Sequence, residues 1–325
     1  MMEILSSSAL ATIQDAGRHS YYRDGVSRSG VMDGVALALG NALLGNDADA
    51  AAVEIPMLPF SVRFDQDLDI AVTGADCSAR LDDRALPPNW AITAKAGETL
   101  TLGAPRSGCR AYLCVAGGFD VPAVLGSRST QLREQFGGLE GRMLQKGDRL
   151  NGRRAETLLP AGGIGVNLVP LRPTVGDVAE VRVIPAAEYG LFVPEAHQAL
   201  WSAEWDVTPQ SNRAGYRLAG PELRLQAPVE LRSHGIVPGV IQVPPGGAPI
   251  IQLADAATMG GYPKIGAVIE ADLWRLAQAR PGAKLRFRQV SFAEALDALG
   301  ELDAFLSQVR STTARVRNAA QGWTR

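Results

Sequence analysis

Short apolar runs broken by glycine, proline, aspartate or asparagine dominate this chain, and this pattern predicts a mainly β protein. In the first half, five such runs predict strands at residues 61–64, 68–72, 91–94, 99–102 and 110–115. A second β-rich region is predicted over residues 181–289. Short, regularly broken strands of this kind are typical of barrels and sandwiches.

Helical spacing of the apolar residues occurs in three places. Residues 32–43 predict a helix that ends at Gly45 and Asn46, as a C-cap would end it. A second helix is predicted over 194–201. The apolar stripe over 292–309 predicts a terminal helix that packs on the second domain, and the polar residues after it are expected to fray.

The two halves of the chain share a weak sequence similarity. Similar strand patterns precede Gly97 and Gly246, and each is followed by a Gly-Gly-aromatic triplet, at 117–119 and at 260–262. Duplication of one barrel would produce this similarity, but a similarity this weak also arises by chance. A length of 325 residues suits two domains. The predicted division is an N-terminal barrel with an early helix over 1–165, a C-terminal barrel with a terminal helix over 174–310, and a polar tail over 311–325.

Composition and charge narrow the choice of partner and compartment. Lys plus Arg number 32 against 34 for Asp plus Glu, so no excess positive charge indicates nucleic-acid binding. No apolar stretch is long enough to span a membrane. The chain has three cysteines and no C-x-x-C pair, which favours reduced structural thiols. A cytoplasmic protein is therefore expected.

Several familiar sites are excluded by the residues present. Residues 103–108 have the glycine spacing of a phosphate loop, but Cys109 and Arg110 stand where Lys and Ser or Thr are needed. A G-x-S-x-G elbow and an H-E-x-x-H helix are both absent. The biotin attachment sequence is absent as well, so this chain is not itself a biotin carrier.

A polar cluster within apolar flanks, at residues 250–266, is the main candidate site. It gathers Asp255, Thr258 and Lys264 around the Gly260-Gly261 pair, whose backbone N–H groups can approach a ligand closely. The Asp255 carboxylate can accept a hydrogen bond from a substrate N–H. The Lys264 ammonium can neutralise a carboxylate or a developing oxyanion. The structural alternative is a hairpin in which Asp255 and Thr258 bond their own backbone.

Three further clusters carry small polar residues beside an arginine or an anion-binding helix entrance. Asn212 and Arg213 precede a Gly-Tyr pair, and the arginine fork suits a planar carboxylate or amide. Ser29 and Asp33 stand at a helix entrance, where free N–H groups favour anions and where capping is the structural alternative. Arg128 lies in a turn of similar composition.

Taken together, these segments resemble the family of 5-oxoprolinase C subunits, also called the biotin-dependent carboxyltransferase or allophanate hydrolase subunit 2 family, which includes KipA. The resemblance runs from about residue 15 to 287. Its ordered blocks are 29–33 with Gly40-Asn41 and Gly45-Asn46, 73–76, 116–120 with 126–130, 211–217, 235–239 with 242–244, and 252–266.

The resemblance implies a mainly β fold of two tandem cyclophilin-like β-barrel domains with a few peripheral helices. It also implies ATP-dependent opening of 5-oxo-L-proline to L-glutamate, with ATP handled by the complex. The implied partners are a KipI-like protein of the B-subunit type and a LamB/YcsF-type protein of the A-subunit type. Asp255, Lys264 and Thr258 are the expected catalytic residues. The expected substrate-binding residues are Asn212, Arg213, Tyr216, Gln242, Gln252, Gly260, Gly261, Tyr262, Ser29, Asp33 and Arg128.

Two alternatives stay open for this family. One is a carboxyltransferase subunit that acts on a urea-like amide with biotin supplied in trans, and the other is a non-catalytic KipA-like protein that only binds its partner. This chain also departs from the family pattern, with His234 where relatives commonly have Glu and with Ala256 where they often have Arg or Gln. A change of substrate is possible if either position contacts it.

Overall fold

The computed structural model describes residues 1–7, 10–153, 159–168 and 178–322. Within these residues the chain forms two compact units, the first from 1–18, 29–168 and 303–322 and the second from 19–28 and 178–302. The mainly β class is confirmed. The boundary expected at 162–173 lies partly outside the described residues, and the predicted domain limits stay predictions.

The strands of the first unit form two six-stranded sheets, with orders β11-β1-β4-β9-β6-β7 and β12-β8-β5-β10-β3-β2. These strands are β1 (Met2–Ser6), β2 (Thr12–Gln14), β3 (Ala52–Ile55), β4 (Phe60–Phe64), β5 (Leu68–Asp76), β6 (Arg80–Leu81), β7 (Arg84–Ala85), β8 (Trp90–Ala94), β9 (Thr99–Leu102), β10 (Ser107–Val115), β11 (Arg149–Leu150) and β12 (Ile164–Gly165). The five strands predicted in this half are all present.

Alternation of apolar residues places the core of the first unit. In β4, Phe60, Val62 and Phe64 are fully buried while Arg63 points outward. Successive residues of a strand face opposite sides of the sheet, so this period of two buries one face of β4. The central strands β5 and β10 are apolar on both faces and pair with each other in antiparallel register from Ala111 to Val115.

Helix α1 (Gly34–Leu44) confirms the helix predicted in the first unit. The Asp33 side chain caps its N-terminus by accepting a hydrogen bond of 2.8 Å from the Ala36 N–H. Gly45 ends the helix with a φ of 75°, a left-handed conformation that glycine adopts without steric cost.

The second unit contains a closed barrel with the strand order β13-β20-β17-β18-β15-β14-β21. The barrel closes through a parallel pairing of β13 with β21. Its strands are β13 (Val178–Pro185), β14 (Glu204–Val207), β15 (Gly215–Ala219), β17 (Val240–Gln242), β18 (Ile250–Gln252), β20 (Lys264–Val268) and β21 (Lys284–Gln289). A separate two-stranded ribbon pairs β16 (His234–Gly235) with β19 (Met259–Gly260).

Three helices complete the described chain: α2 (Pro194–Ser202), α3 (Leu273–Ala277) and α4 (Phe292–Gly322). Helix α2 matches its prediction, but α4 continues through residues 311–322, so the expectation of a frayed tail was wrong there. From Asp303 onward, α4 belongs to the first unit rather than to the second. Neither α4 nor any other described helix combines the length and the apolar character needed to cross a membrane.

Polar contacts explain why the end of α4 is ordered. Thr313 donates a hydrogen bond of 3.0 Å to the Ala42 carbonyl, and Arg317 donates one of 2.8 Å to the Leu43 carbonyl. These carbonyls lie in the last turn of α1, where the regular helical hydrogen bonds end. Because Thr313 and Arg317 are four residues apart, they share one face of α4. A search for apolar periodicity misses this contact.

The three cysteines are free in the structure. Burial raises the pKa of Cys77 to about 11 and that of Cys114 to about 12, so both thiols stay protonated at neutral pH. Both side chains lie in the apolar interior of the first unit, in keeping with a structural role.

A buried lysine and an arginine–aspartate pair

An arginine–aspartate pair forms the first part of the candidate site in the second unit. Arg213 donates from Nε to Asp255 Oδ2 at 2.7 Å and from Nη2 to Oδ1 at 3.1 Å. Both side chains are largely buried, with 9% and 13% of their surface exposed. The Arg213 fork is therefore directed at Asp255, and it fixes the orientation of the carboxylate.

The barrel ladder brings this pair together across 42 residues of sequence. Strand β15 pairs with β18 with Gly215 opposite Gln252, and just beyond this pair the Leu253 N–H donates to the Ala214 carbonyl at 3.0 Å. The Asp255 N–H then donates to the Arg213 carbonyl at 3.0 Å. Backbone and side-chain bonds thus join the same two residues, which limits the freedom of both.

Lys264 is the second candidate feature of the second unit, and its environment is unusual. It is the first residue of β20, and only 8% of it is exposed. Its ammonium nitrogen is buried and has no hydrogen-bond partner among the residues that the structure describes. A buried cation in this condition is costly unless an anion compensates it. We therefore infer that Lys264 is arranged to meet negative charge supplied by a ligand.

Three more of the predicted residues lie in the β16–β19 ribbon or just before or after it. Gly260 pairs with His234, and the Thr258 carbonyl accepts a bond of 3.0 Å from the Ile236 N–H. Tyr262, which follows the ribbon, is 47% exposed, and its carbonyl accepts a weak bond of 3.5 Å from buried Gln242. The ribbon therefore adjoins the start of β20.

Gly260 and Gly261 have close protein neighbours. A Cβ added to Gly260 would lie 2.7 Å from Gln242 Nε2 and would also overlap the Ile236 side chain. A Cβ added to Gly261 would lie 3.1 Å from the Leu231 carbonyl oxygen. The absence of a side chain at Gly260 thus leaves room for the Gln242 carboxamide. A role in ligand binding stays a prediction for both glycines.

A Gly260→Ala variant is expected to unfold at a lower urea concentration than the wild type. The added methyl group must displace the ends of two side chains, which costs about 1 kcal/mol, at the low end for overpacking. Gly246→Ala is the matched control, because no atom lies within 4 Å of where its Cβ would be. Equal unfolding midpoints for the two variants would contradict this packing role.

Other predicted residues of the second unit have structural partners. The Asn212 side-chain oxygen accepts bonds of 2.8 Å from the Ala214 N–H and of 3.4 Å from the Gly215 N–H, which forms a local turn. The Tyr216 hydroxyl donates to the Ala279 carbonyl at 3.1 Å. Gln252 is half-buried on β18, and its carbonyl accepts a bond of 2.7 Å from Gly239. Their roles toward a ligand stay predictions.

Ser29, Asp33 and Arg128 lie in the first unit. Asp33 caps α1, as the structural alternative for this cluster predicted. Arg128 donates from Nε to the Val121 carbonyl at 3.1 Å. The Ser29 hydroxyl is buried and has no hydrogen-bond partner within the described part of the chain. No described group of His, Cys, Asp and Glu residues could hold a metal ion.

Sequence reasoning missed one residue of the site, Glu188. It follows β13 and precedes a 3₁₀ turn, Tyr189–Leu191. Its carboxylate accepts a bond of 3.3 Å from the Lys264 N–H and lies 3.6 Å from His234 Nε2. A single glutamate after a strand has no sequence signature, so only the fold reveals this contact.

Comparison with known proteins places these features in a family. The family model described as carboxyltransferase domain, subdomain A and B, matches residues 24–289. The chain is 44% identical to the 5-oxoprolinase C subunit of Escherichia coli over 95% of its own length and 97% of that protein. It is 43% identical to the 5-oxoprolinase C subunit of Haemophilus influenzae over 95% and 98% of the two lengths.

Solved structures of larger enzymes contain the same fold. The urea amidolyase of Kluyveromyces lactis matches with a TM-score of 0.86 and 31% identity. The match covers 95% of this chain but 20% of that enzyme, so this chain corresponds to one part of it. The urea carboxylase of the same yeast matches with a TM-score of 0.86 and 32% identity, over 29% of its length.

Proposed function

The chain belongs to the carboxyltransferase domain family, subdomains A and B, and from that premise we propose that it is the C subunit of a 5-oxoprolinase. In this proposal an enzyme complex opens 5-oxo-L-proline to L-glutamate at the expense of ATP. The partners are a KipI-like protein of the B-subunit type and a LamB/YcsF-type protein of the A-subunit type, and the complex is cytoplasmic.

The buried Lys264 ammonium carries the proposal on the structural side. 5-Oxoproline is a small lactam with a carboxylate, so it offers both a fixed negative charge and a carbonyl on which negative charge develops during attack. Lys264 has no competing partner among the described residues and is free to compensate either charge. The full-length identity to two proteins named as 5-oxoprolinase C subunits supports the choice of this lactam.

Asp255 has the complementary role. The Asp255 carboxylate is fixed by Arg213 and still has free lone pairs. It can therefore accept a hydrogen bond from the lactam N–H, and this bond would orient the ring. The opening consumes water, breaks the C–N bond and leaves a second carboxylate and an amine. In this scheme Asp255 and Lys264 position the substrate and compensate its charge, and Thr258 stays a predicted contributor.

Residues 103–110 of this chain do not form a phosphate loop for ATP. Residues 103–108 lead into strand β10 rather than into a helix, and Cys109 and Arg110 replace the lysine and the hydroxyl of a phosphate loop. ATP supplies the activation that a stable amide needs before water attacks. We assign its binding to a partner protein of the complex.

A carboxyltransferase is the second candidate function, and the TM-score of 0.86 with a urea carboxylase favours it. In that case a biotin carrier would act in trans, and the substrate would be a urea-like amide.

Reconstitution distinguishes the two functions. The chain is combined with KipI-type and LamB/YcsF-type partners, and glutamate release from 5-oxoproline is measured with and without ATP. In a parallel assay, the chain is combined with a carboxylated biotin carrier and urea. ATP-dependent glutamate release supports the proposal. Carboxyl transfer to urea without glutamate release would replace it with the alternative, and partner binding without any turnover would indicate a KipA-like binding protein.

A further inference from the structure

We propose that Glu188 is the positioning residue of the Lys264 site, which it joins to His234 of the β16–β19 ribbon. The inference rests on the proposed function of Lys264 and adds to it the group that determines where this lysine lies. Glu188 acts through the backbone of Lys264, so no contact with substrate is required of it.

Strand β20 is irregular at the point where Glu188 binds. In the β17–β20 ladder, Ile241 lies opposite Gly266, but the next residue, Gln242, lies opposite Lys264. Ile265 is therefore an extra residue on β20, which makes a β-bulge. A bulge interrupts the ladder and redirects the neighbouring side chains. Lys264 lies next to this bulge, and its backbone N–H donates to a side chain.

Glu188 supplies that side chain. Its Oε2 atom accepts the Lys264 N–H at 3.3 Å, and its side chain is only 18% exposed. A buried backbone N–H that loses its acceptor is costly. The contact therefore favours the bulged conformation, in which the Lys264 ammonium is buried.

The second oxygen of Glu188 faces the ribbon. Oε1 lies 3.6 Å from His234 Nε2, and His234 Nδ1 lies 2.9 Å from the Arg232 carbonyl oxygen. If Nδ1 donates to that carbonyl, Nε2 carries a hydrogen for Glu188 only when the ring is doubly protonated. Since His234 pairs with Gly260, the carboxylate links the ribbon to the strand that begins with Lys264.

The test is a double-mutant cycle in the complete reconstituted complex, with the variants Glu188→Ala, Glu188→Gln, Lys264→Met and Glu188→Ala combined with Lys264→Met. Glu188→Ala should lower kcat/KM for 5-oxoproline about tenfold, in line with the loss of one charge-assisted hydrogen bond. Glu188→Gln retains an acceptor for the Lys264 N–H and should recover most of this loss.

Non-additivity is the decisive readout. If Glu188 acts through Lys264, the double variant should be no slower than Lys264→Met alone. A further tenfold loss in the double variant would overturn the inference, because Glu188 would then act independently. Wild-type kcat/KM in the Glu188→Ala complex would overturn it as well.

A second measurement needs no turnover and separates this inference from the proposed function. In the full chain without partners, Glu188→Ala should speed amide hydrogen exchange at Lys264. Glu188→Gln and the control Glu204→Ala, whose partly exposed side chain pairs with Lys284, should not. Unchanged exchange at Lys264 in Glu188→Ala would overturn the positioning role. Unimpaired turnover in Lys264→Met would instead refute the assigned role of Lys264 and leave the exchange result valid.

Discussion

A Lys264→Met variant should lose about a hundredfold or more of kcat/KM for 5-oxoproline while the protein becomes no less stable. Removal of a single group that stabilises developing charge in a water-poor site costs about 10²–10³ in rate. Methionine keeps the length and apolar stem of lysine, so the packing at the start of β20 is retained. The variant also removes a buried cation that has no hydrogen-bond partner among the described residues.

The combination of the two effects makes this prediction specific. Loss of a paired, structural lysine lowers stability, whereas loss of an unpaired buried charge leaves stability equal or higher. The assay is glutamate release by the complete complex, together with urea unfolding of the chain. Lys284→Met is the matched control, because Lys284 is exposed and pairs with Glu204 at 3.0 Å. A marked drop in stability of Lys264→Met at unchanged turnover would refute the assignment.

Local signals made much of the fold predictable. Helix α1 could be placed because its apolar spacing ends at Gly45, and a glycine with a positive φ closes it. The strands of the first unit follow alternation, as Phe60, Val62 and Phe64 show. The end of α4 could not be predicted in this way, because polar contacts with residues more than 260 positions away order it.

The candidate site was predictable in its residue types but not in its pairing. Arg213 and Asp255 were each expected to bind a ligand, and the structure places them in contact with each other. Composition identifies a carboxylate and a guanidinium but gives no information on which lies opposite which across a barrel ladder. Glu188 shows the same limit more strongly, since its partner Lys264 is 76 residues away.

Asp272 is the residue of the second unit whose replacement should lower stability most. Its side chain is 2% exposed, and it accepts hydrogen bonds from the Arg182 N–H, Nε and Nη2 at 2.7–2.9 Å and from Arg275 Nε at 3.0 Å. These bonds join β13 of the barrel to the turn that begins α3. Asp272→Asn should lower the free energy of unfolding at pH 7 by about 3–5 kcal/mol, as expected when one partner of a buried ion pair is removed.

The pH dependence of this loss follows from the pKa of Asp272. Burial alone raises that pKa, but the hydrogen bonds and the charges of Arg182 and Arg275 outweigh burial and hold it below its ordinary value. A depressed pKa in the folded state means that the group stabilises the fold above its unfolded pKa of about 4 and stops doing so as the pH falls through the folded pKa. The stability difference between wild type and Asp272→Asn should therefore be largest near neutral pH and shrink on acidification below about pH 4. Urea unfolding across this range measures the difference. Glu180→Gln is the control, because Glu180 lies on β13 with Arg182 but forms an exposed ion pair with Arg288. A difference that does not change with pH, or a Glu180→Gln loss as large as that of Asp272→Asn, would show that the Asp272 carboxylate is not the charge that joins this turn to the barrel.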